Sequence, residues 1–199
     1  MGRGIENNAK MKEERQQLIR SHALRLFALN GLAATKISHI AKAAGMSQGL
    51  MYHYYQSKEE IYVELIGHAF DRMNQAVREL EAMKLSPKEK LELAIKELLA
   101  GFKTSDEVGF THLLIAQATA SETIPLEVKQ IIEKENRIPY QVIRKIVEEG
   151  QQSGEIIDRD PEALTLMFWT CIKGLALHTV THGKEVKLPD PEMLMRIFT

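Results

Sequence analysis

A chain of 199 residues with 44% hydrophobic and 27% charged residues has the composition of a globular protein, either one large domain or a small and a larger one sharing a helix. No run of 18 apolar residues and no apolar core of a signal peptide occur, so the expected location is cytoplasmic, and the single Cys171 excludes an internal disulfide framework and a cysteine-based zinc finger. The net charge of −1 conceals an asymmetry: residues 1–60 hold nine Lys/Arg against five Asp/Glu, a net of +4, whereas residues 61–199 hold 17 against 22, a net of −5. Positive potential is concentrated in the first third, where an anionic partner would be drawn.

Residues 1–10 (MGRGIENNAK) carry little apolar content and read as a disordered arm. From Met11 to Asn30 the apolar set Leu18, Ile19, Ala23, Leu26 and Phe27 follows the helical period, and Gly31 ends that helix. Thr35 then stands as an N-cap before Ile37, Ile40, Ala41 and Ala44, a short helix over about 36–43. Gly45 supplies the positive φ of a tight turn, Met46 is an apolar plug, and Ser47 caps a second helix from Gln48 to about Tyr54.

That second helix sets Gln48, Gly49, Tyr52 and His53 on one face and turns Met51 and Tyr55 toward a core. An amide that can pair with adenine, a phenol, an imidazole and a glycine permitting close backbone approach are base-reading chemistry. Ser57 and Glu60 form an S-x-x-E capping box at the start of the next helix, and Lys58 sits where free N–H groups favour a phosphate.

The stretch LFALNGLAATKISHIAKAAGMSQGLMYHYYQSKEEIY resembles the N-terminal signature of the TetR family of bacterial transcriptional regulators, through Phe27, Gly31, Thr35, Ile40-Ala41, Ala44-Gly45, Ser47, Gly49, Tyr52, Tyr55 and Lys58-Glu59. The resemblance implies that Gln48, Gly49 and Tyr52 face bases or the groove floor, that Thr35, His53, Tyr54 and Lys58 approach phosphates, and that Lys36 reaches either. With the cap Ser47 these are the expected DNA-binding residues. Tyr54-Tyr55 departs from the family's more usual His-Phe.

After Lys58 the apolar period continues through Ile61, Leu65, Phe70 or Ala69, Met73, Val77 and Leu80, a helix over 58–84 of roughly 40 Å that leaves the three-helix module. It reads as a mechanical link between two domains, 11–57 and 85–199. Ser86-Pro87-Lys88-Glu89 restarts the chain with a capping box and Pro at the first helical position. Further helices are expected from Asp106 to about Thr119, from Pro125 with a kink or division forced by Pro139, from Pro161 to about Gly183, and from Pro191. No period-two pattern suggests a sheet, so the expected fold is all-α with about nine helices; the resemblance implies a helix-turn-helix module followed by a helical effector-binding and dimerisation domain.

The helix from Pro161 is apolar around most of its circumference and needs cover on both sides. By resemblance to TetR-like dimers one side packs on its own subunit and the other on a partner, with Leu164, Phe168, Cys171, Ile172, Leu175 and Ala176 as interface candidates. Phe102, Phe110, His112, Tyr140, Met167 and Trp169 are candidates for lining an effector pocket, although any helical core would hold such residues. His178 and His182 share a face at i, i+4, but Thr179 replaces the glutamate of H-E-x-x-H and no third ligand is evident, so no metal and no cofactor is expected.

The expectation is a homodimeric regulator that binds a palindromic DNA operator and, as the resemblance implies, is released by a small-molecule effector. A helical DNA-binding or protein-binding adaptor without an effector is the alternative, which an absent cavity would favour. A helical enzyme is disfavoured by the lack of a phosphate loop, a carboxylate pair at catalytic spacing or a nucleophile beside a base.

Overall fold

The structure, a computed structural model, describes residues 2–183 and 185–199, leaving the side chains of residues 2–6 and 8 outside that description. Ten helices make up the described residues: α1 (Gly2–Ala34), α2 (Ile37–Ala43), α3 (Gln48–Met51), α4 (Lys58–Ala82), α5 (Pro87–Thr104), α6 (Asp106–Ala120), α7 (Leu126–Glu135), α8 (Arg137–Gln152), α9 (Pro161–His182) and α10 (Pro191–Met195). The segment expected as a disordered arm is helical from Gly2, continuous with α1; Met1 lies outside the described residues. Gly31, at φ 76°, breaks the end of α1 where a side chain would be strained.

The extra helix comes from the division between α7 and α8. Pro139 occupies the third position of α8, within the first turn, where its missing N–H has no helical acceptor to lose. The boundary therefore falls three residues before it, at Asn136. The capping box of Ser86 and Glu89 forms as expected, with Ser86 N–H donating to the Glu89 carboxylate at 2.7 Å. At Ser57 the box shifts by one residue: Ser57 Oγ accepts from Glu60 N–H, but the Glu60 carboxylate takes the N–H of Gln56 at 2.6 Å.

Two apolar clusters hold the molecule together. The first joins Ile19, Phe27, Ile40, Met51, Tyr55, Ile61, Ile66 and Phe70 from α1 to α4 with Leu114, Ile115 and Ala118 of α6 and Val128 of α7. The second gathers Val77 and Leu80 of α4 with residues of α5, α8, α9 and the C-terminal Phe198. Met73 packs against both. α6 thus belongs to both halves: Gln117 Nε2 donates to the Ala28 carbonyl of α1 at 2.9 Å, and Gly109 lies so close to α9 that a Cβ there would sit 2.9 Å from Val180 Cγ2.

α9 reaches a mean hydropathy of 1.3 over an 18-residue window, enough by length and composition alone to cross a bilayer. In the fold Leu164, Phe168, Trp169, Ile172 and Ala176 are committed to the second cluster, and Lys173 stands at mid-helix, where hydrocarbon would penalise it. The outer face carries Leu166 (58% exposed), Met167 and Leu177 (50% exposed), with Thr170, Gly174 and His178 exposed between them.

This division corrects the interface expected from sequence. Leu164, Phe168, Ile172 and Ala176 are core residues of their own subunit, and Cys171 and Leu175 are half-buried at its edge. A helix apolar on all sides leaves its inner and outer faces indistinguishable by pattern, and the packing of α6 and α8 decides between them.

Candidate nucleic-acid interface and effector cavity

The turn between α2 and α3 is built from three residues. Gly45 adopts φ 66°, Met46 is buried with its N–H donating to the Ala41 carbonyl at 2.9 Å, and Ser47 Oγ accepts the N–H of Leu50 at 3.1 Å. α3 is one turn of α-helix, continued by tighter bonds from His53 N–H to Leu50 O and Tyr54 N–H to Met51 O, so the expected helix to Tyr54 ends in a 3₁₀-like turn. Met51 and Tyr55 anchor it in the first cluster.

The opposite face presents Gln48, Gly49, Leu50, Tyr52 and His53 to solvent, with Tyr54 half-buried. A weak side-chain tie crosses that face, Gln48 Nε2 donating to Tyr52 Oη at 3.4 Å. Gly49 has ordinary backbone angles, and a Cβ built on it would meet nothing within 4 Å. The fold therefore does not itself require glycine there, which is the signature expected where an outside surface comes close. Sequence reading missed Leu50, an exposed apolar side chain able to meet a thymine methyl; its place between Gly49 and Met51 was the available signal.

Two expected phosphate contacts are corrected. Thr35 is 1% exposed and does not cap α2; its hydroxyl donates inward to the Gly31 carbonyl at 2.7 Å, while Lys36 is the cap residue and is exposed. Lys58 points its ammonium at the carbonyls of Leu32 (2.7 Å), Ala33 (3.3 Å) and Thr35 (2.9 Å). Its three donors tie the start of α4 to the end of α1, where carbonyl oxygens lack helical partners. Lys58→Met should accordingly destabilise the protein by about 1–3 kcal/mol in urea unfolding. A pure phosphate ligand would leave that midpoint unchanged.

A cavity lies where the two clusters meet, lined by Met73 of α4, His112 and Ile115 of α6, Asn136, Pro139 and Tyr140 at the α7–α8 junction, and Trp169 and Lys173 of α9. The free volume between them is about 10 Å³, room for about one water molecule. His112, Tyr140 and Trp169 stand where an effector lining was expected. The other three candidates do not: Phe102 is buried in the second cluster, edge-on to His112 with ring centroids 5.5 Å apart; Phe110 packs at the first cluster; Met167 faces outward. Lys173, the one charge in the apolar run from Leu164 to Leu177, was the overlooked signal.

Residues 19–65 match the sequence profile of the bacterial regulatory proteins of the tetR family. The fatty acid metabolism regulator protein of Bacillus subtilis (strain 168) is 33% identical over 154 residues, covering 74% of this chain and 73% of that protein. The chain belongs to the TetR family. It is a helix-turn-helix transcriptional regulator, and the relatives are regulators rather than enzymes. The transcriptional regulator FadR from Bacillus subtilis, solved in complex with stearoyl-CoA, superposes with a TM-score of 0.63 at 25% identity, covering 90% of this chain and 93% of that one. The fold is shared also with AibR, solved with isovaleryl coenzyme A and operator DNA, at a TM-score of 0.71 and 18% identity over 92% and 94% of the two chains.

Within this TetR-family fold His112 is held neutral. Burial lowers its pKa from the ordinary 6.5, against a raising effect of the Val108 carbonyl, which accepts from Nδ1 at 2.9 Å, and with a further lowering from the Lys173 charge. The unfolded chain therefore takes up a proton that the folded chain refuses. Stability from this group is fully present above about pH 6.5 and declines as pH falls through that value toward the lower folded pKa. Melting curves of His112→Gln should show a flatter decline below pH 6.5 than the wild type. Parallel declines would remove His112 as the cause.

His178 and His182 lie with ring centroids 4.3 Å apart, tilted 40° to one another, on the exposed face of α9. Among the described residues no group of three His, Cys, Asp or Glu side chains is placed to hold a metal ion.

Proposed function

We propose that this regulator is a cytoplasmic homodimeric repressor that reads a palindromic operator through Gln48, Gly49, Leu50 and Tyr52 and is released by a long-chain acyl compound bound between the two apolar clusters. The observation that carries the reading is the placement of that cavity on α4, the helix whose first residue, Lys58, clamps the helix-turn-helix. α4 is 25 residues long, about 37 Å at 1.5 Å per residue. Met73 lines the cavity, Asn74 beside it donates to Glu135 of α7 at 2.8 Å, and Arg20 of α1 pairs with Glu64 at 2.8 Å.

A body wedged against Met73 displaces a helix that is tied to α1 at its start and to α7 at Asn74, and the reading module moves with it. With room for only about one water, the cavity as it stands is the closed form, so an effector has to part α4 and α6 from α8 and α9. The class of effector is supported by the Bacillus subtilis relative named for fatty acid metabolism and by the stearoyl-CoA bound to FadR. The dimer face is the outer side of α9, Leu166, Met167, Thr170, Gly174 and Leu177, with the small Gly174 allowing close approach of a second copy.

Lys36 and His53, both exposed, remain as phosphate contacts, and Ser47 acts as a cap. The test uses duplexes enriched by the protein from a random pool. The expected result is a palindromic consensus bound with steep salt dependence and released by stearoyl-CoA but not by free coenzyme A. Enrichment of no consensus, or release by coenzyme A alone, would contradict the reading.

A further inference from the structure

The apolar walls of the cavity leave a polar group unexplained. We infer that Lys173, Tyr140 and Trp169 form a subsite for the negatively charged oxygens of an acid whose apolar body enters against Met73 and Ile115, an inference that rests on reading this cavity as the effector site.

Trp169 is 4% exposed and lines the cavity, yet its Nε1–H has no acceptor. A buried indole donor without a partner is uncommon and marks a place where an acceptor belongs. Lys173 follows one turn later on α9, half-buried, and no ion pair among the described residues includes it. Its ammonium donates to Tyr140 Oη at 2.8 Å. Having accepted that bond, the phenol keeps its own O–H to donate. The three residues that carry these donors, one of them charged, line a cavity whose other walls include Met73, Ile115 and Pro139.

The neighbouring imidazole does not supply the missing anion. His112 gives its Nδ1–H to the Val108 carbonyl and stays neutral, so the Lys173 charge is unbalanced within the cavity. A neutral apolar effector would leave that charge without a counter-ion and the indole N–H without an acceptor. An acid satisfies both. Its oxygens are either the carboxylate of a free acid or the phosphates of a coenzyme A thioester.

Trp169 is the only tryptophan of the chain, so its emission reports on this cavity directly. Palmitate, methyl palmitate and palmitoyl-CoA, each below its micelle-forming concentration, are titrated onto the full chain. At least one of the two acids should change the emission saturably, and the methyl ester should bind about tenfold or more weakly, the size of one charge-assisted hydrogen bond. The tighter of the two acids identifies the source of the oxygens. Lys173→Met should abolish the preference over the ester, and Lys173→Arg should keep it, with both variants melting as the wild type does.

Equal binding of acid and ester, survival of the preference in Lys173→Met, or no response to either acid would overturn the subsite. Release of operator by palmitoyl-CoA without any change in Trp169 emission would remove the cavity itself as effector site, a failure of the proposed function and not of the headgroup chemistry alone.

Discussion

Leu177→Glu combined with Leu166→Glu is expected to yield a folded monomer that has lost operator binding. Both side chains are more than half or about half exposed on the outer face of α9, so charge there disturbs nothing within the subunit. Against a second copy the same carboxylates would be buried without partners, and the face would no longer associate. A monomer carries one reading helix and loses the second half-site, which should weaken operator binding by about 10²–10⁴-fold. Sedimentation should show the halved mass, and the melting temperature should stay near that of the wild-type protomer. Ile172→Glu provides the contrast: Ile172 is 1% exposed in the second cluster, so a charge there should unfold the protein and not merely separate two copies. Dimers persisting in the double variant would mean that another face mediates assembly.

Gln48→Ala with Tyr52→Ala should have the second-largest effect, on sequence preference and not on fold. Each lost base contact costs about 1–3 kcal/mol of discrimination, and the two-fold axis counts it in both half-sites. Operator affinity should therefore drop far more than affinity for random DNA, while the salt dependence set by phosphate contacts stays the same. The two single variants should not be additive, because Gln48 donates to Tyr52 and the removal of one frees the other. Both residues lie on the exposed face of α3, and its anchors Met51 and Tyr55 are untouched, so the melting temperature should be unchanged. Equal losses for operator and random DNA would reduce both side chains to backbone contacts.

The helix-turn-helix was legible in sequence because its local signals agree with its tertiary role. Gly45 has the positive φ, Met46 is buried, Ser47 is the cap, and Met51 and Tyr55 are the anchors, as their spacing requires. Thr35 and Lys58 were misread for one shared reason. The polar groups of both are taken up by carbonyls at the end of α1: the Thr35 hydroxyl by Gly31, four residues back, and the Lys58 ammonium by Leu32, Ala33 and Thr35, 23 to 26 residues away in sequence, which only the folding of α4 onto that end brings near. The α9 faces were illegible because period alone does not orient a helix that is apolar all round. The cavity was half legible: His112, Tyr140 and Trp169 are aromatic candidates in any core, but Met73, Asn136 and Lys173 come together only through the meeting of four helices from distant segments. The helical start of α1 reverses an expectation drawn from glycine and asparagine content, a weak prior once a segment continues an existing helix.

Coupling of the cavity to the reading helix through α4, as proposed, shows in two linked titrations. Stearoyl-CoA is titrated onto the free protein and onto the protein saturated with its selected operator, with Trp169 emission as the readout, and operator binding is measured with and without saturating stearoyl-CoA. The expected coupling is about 1–3 kcal/mol, so that operator weakens stearoyl-CoA binding by the same factor, roughly 5- to 150-fold, by which stearoyl-CoA weakens operator binding. Equal stearoyl-CoA affinities for the free and the operator-bound protein would contradict it, however tightly the ligand binds.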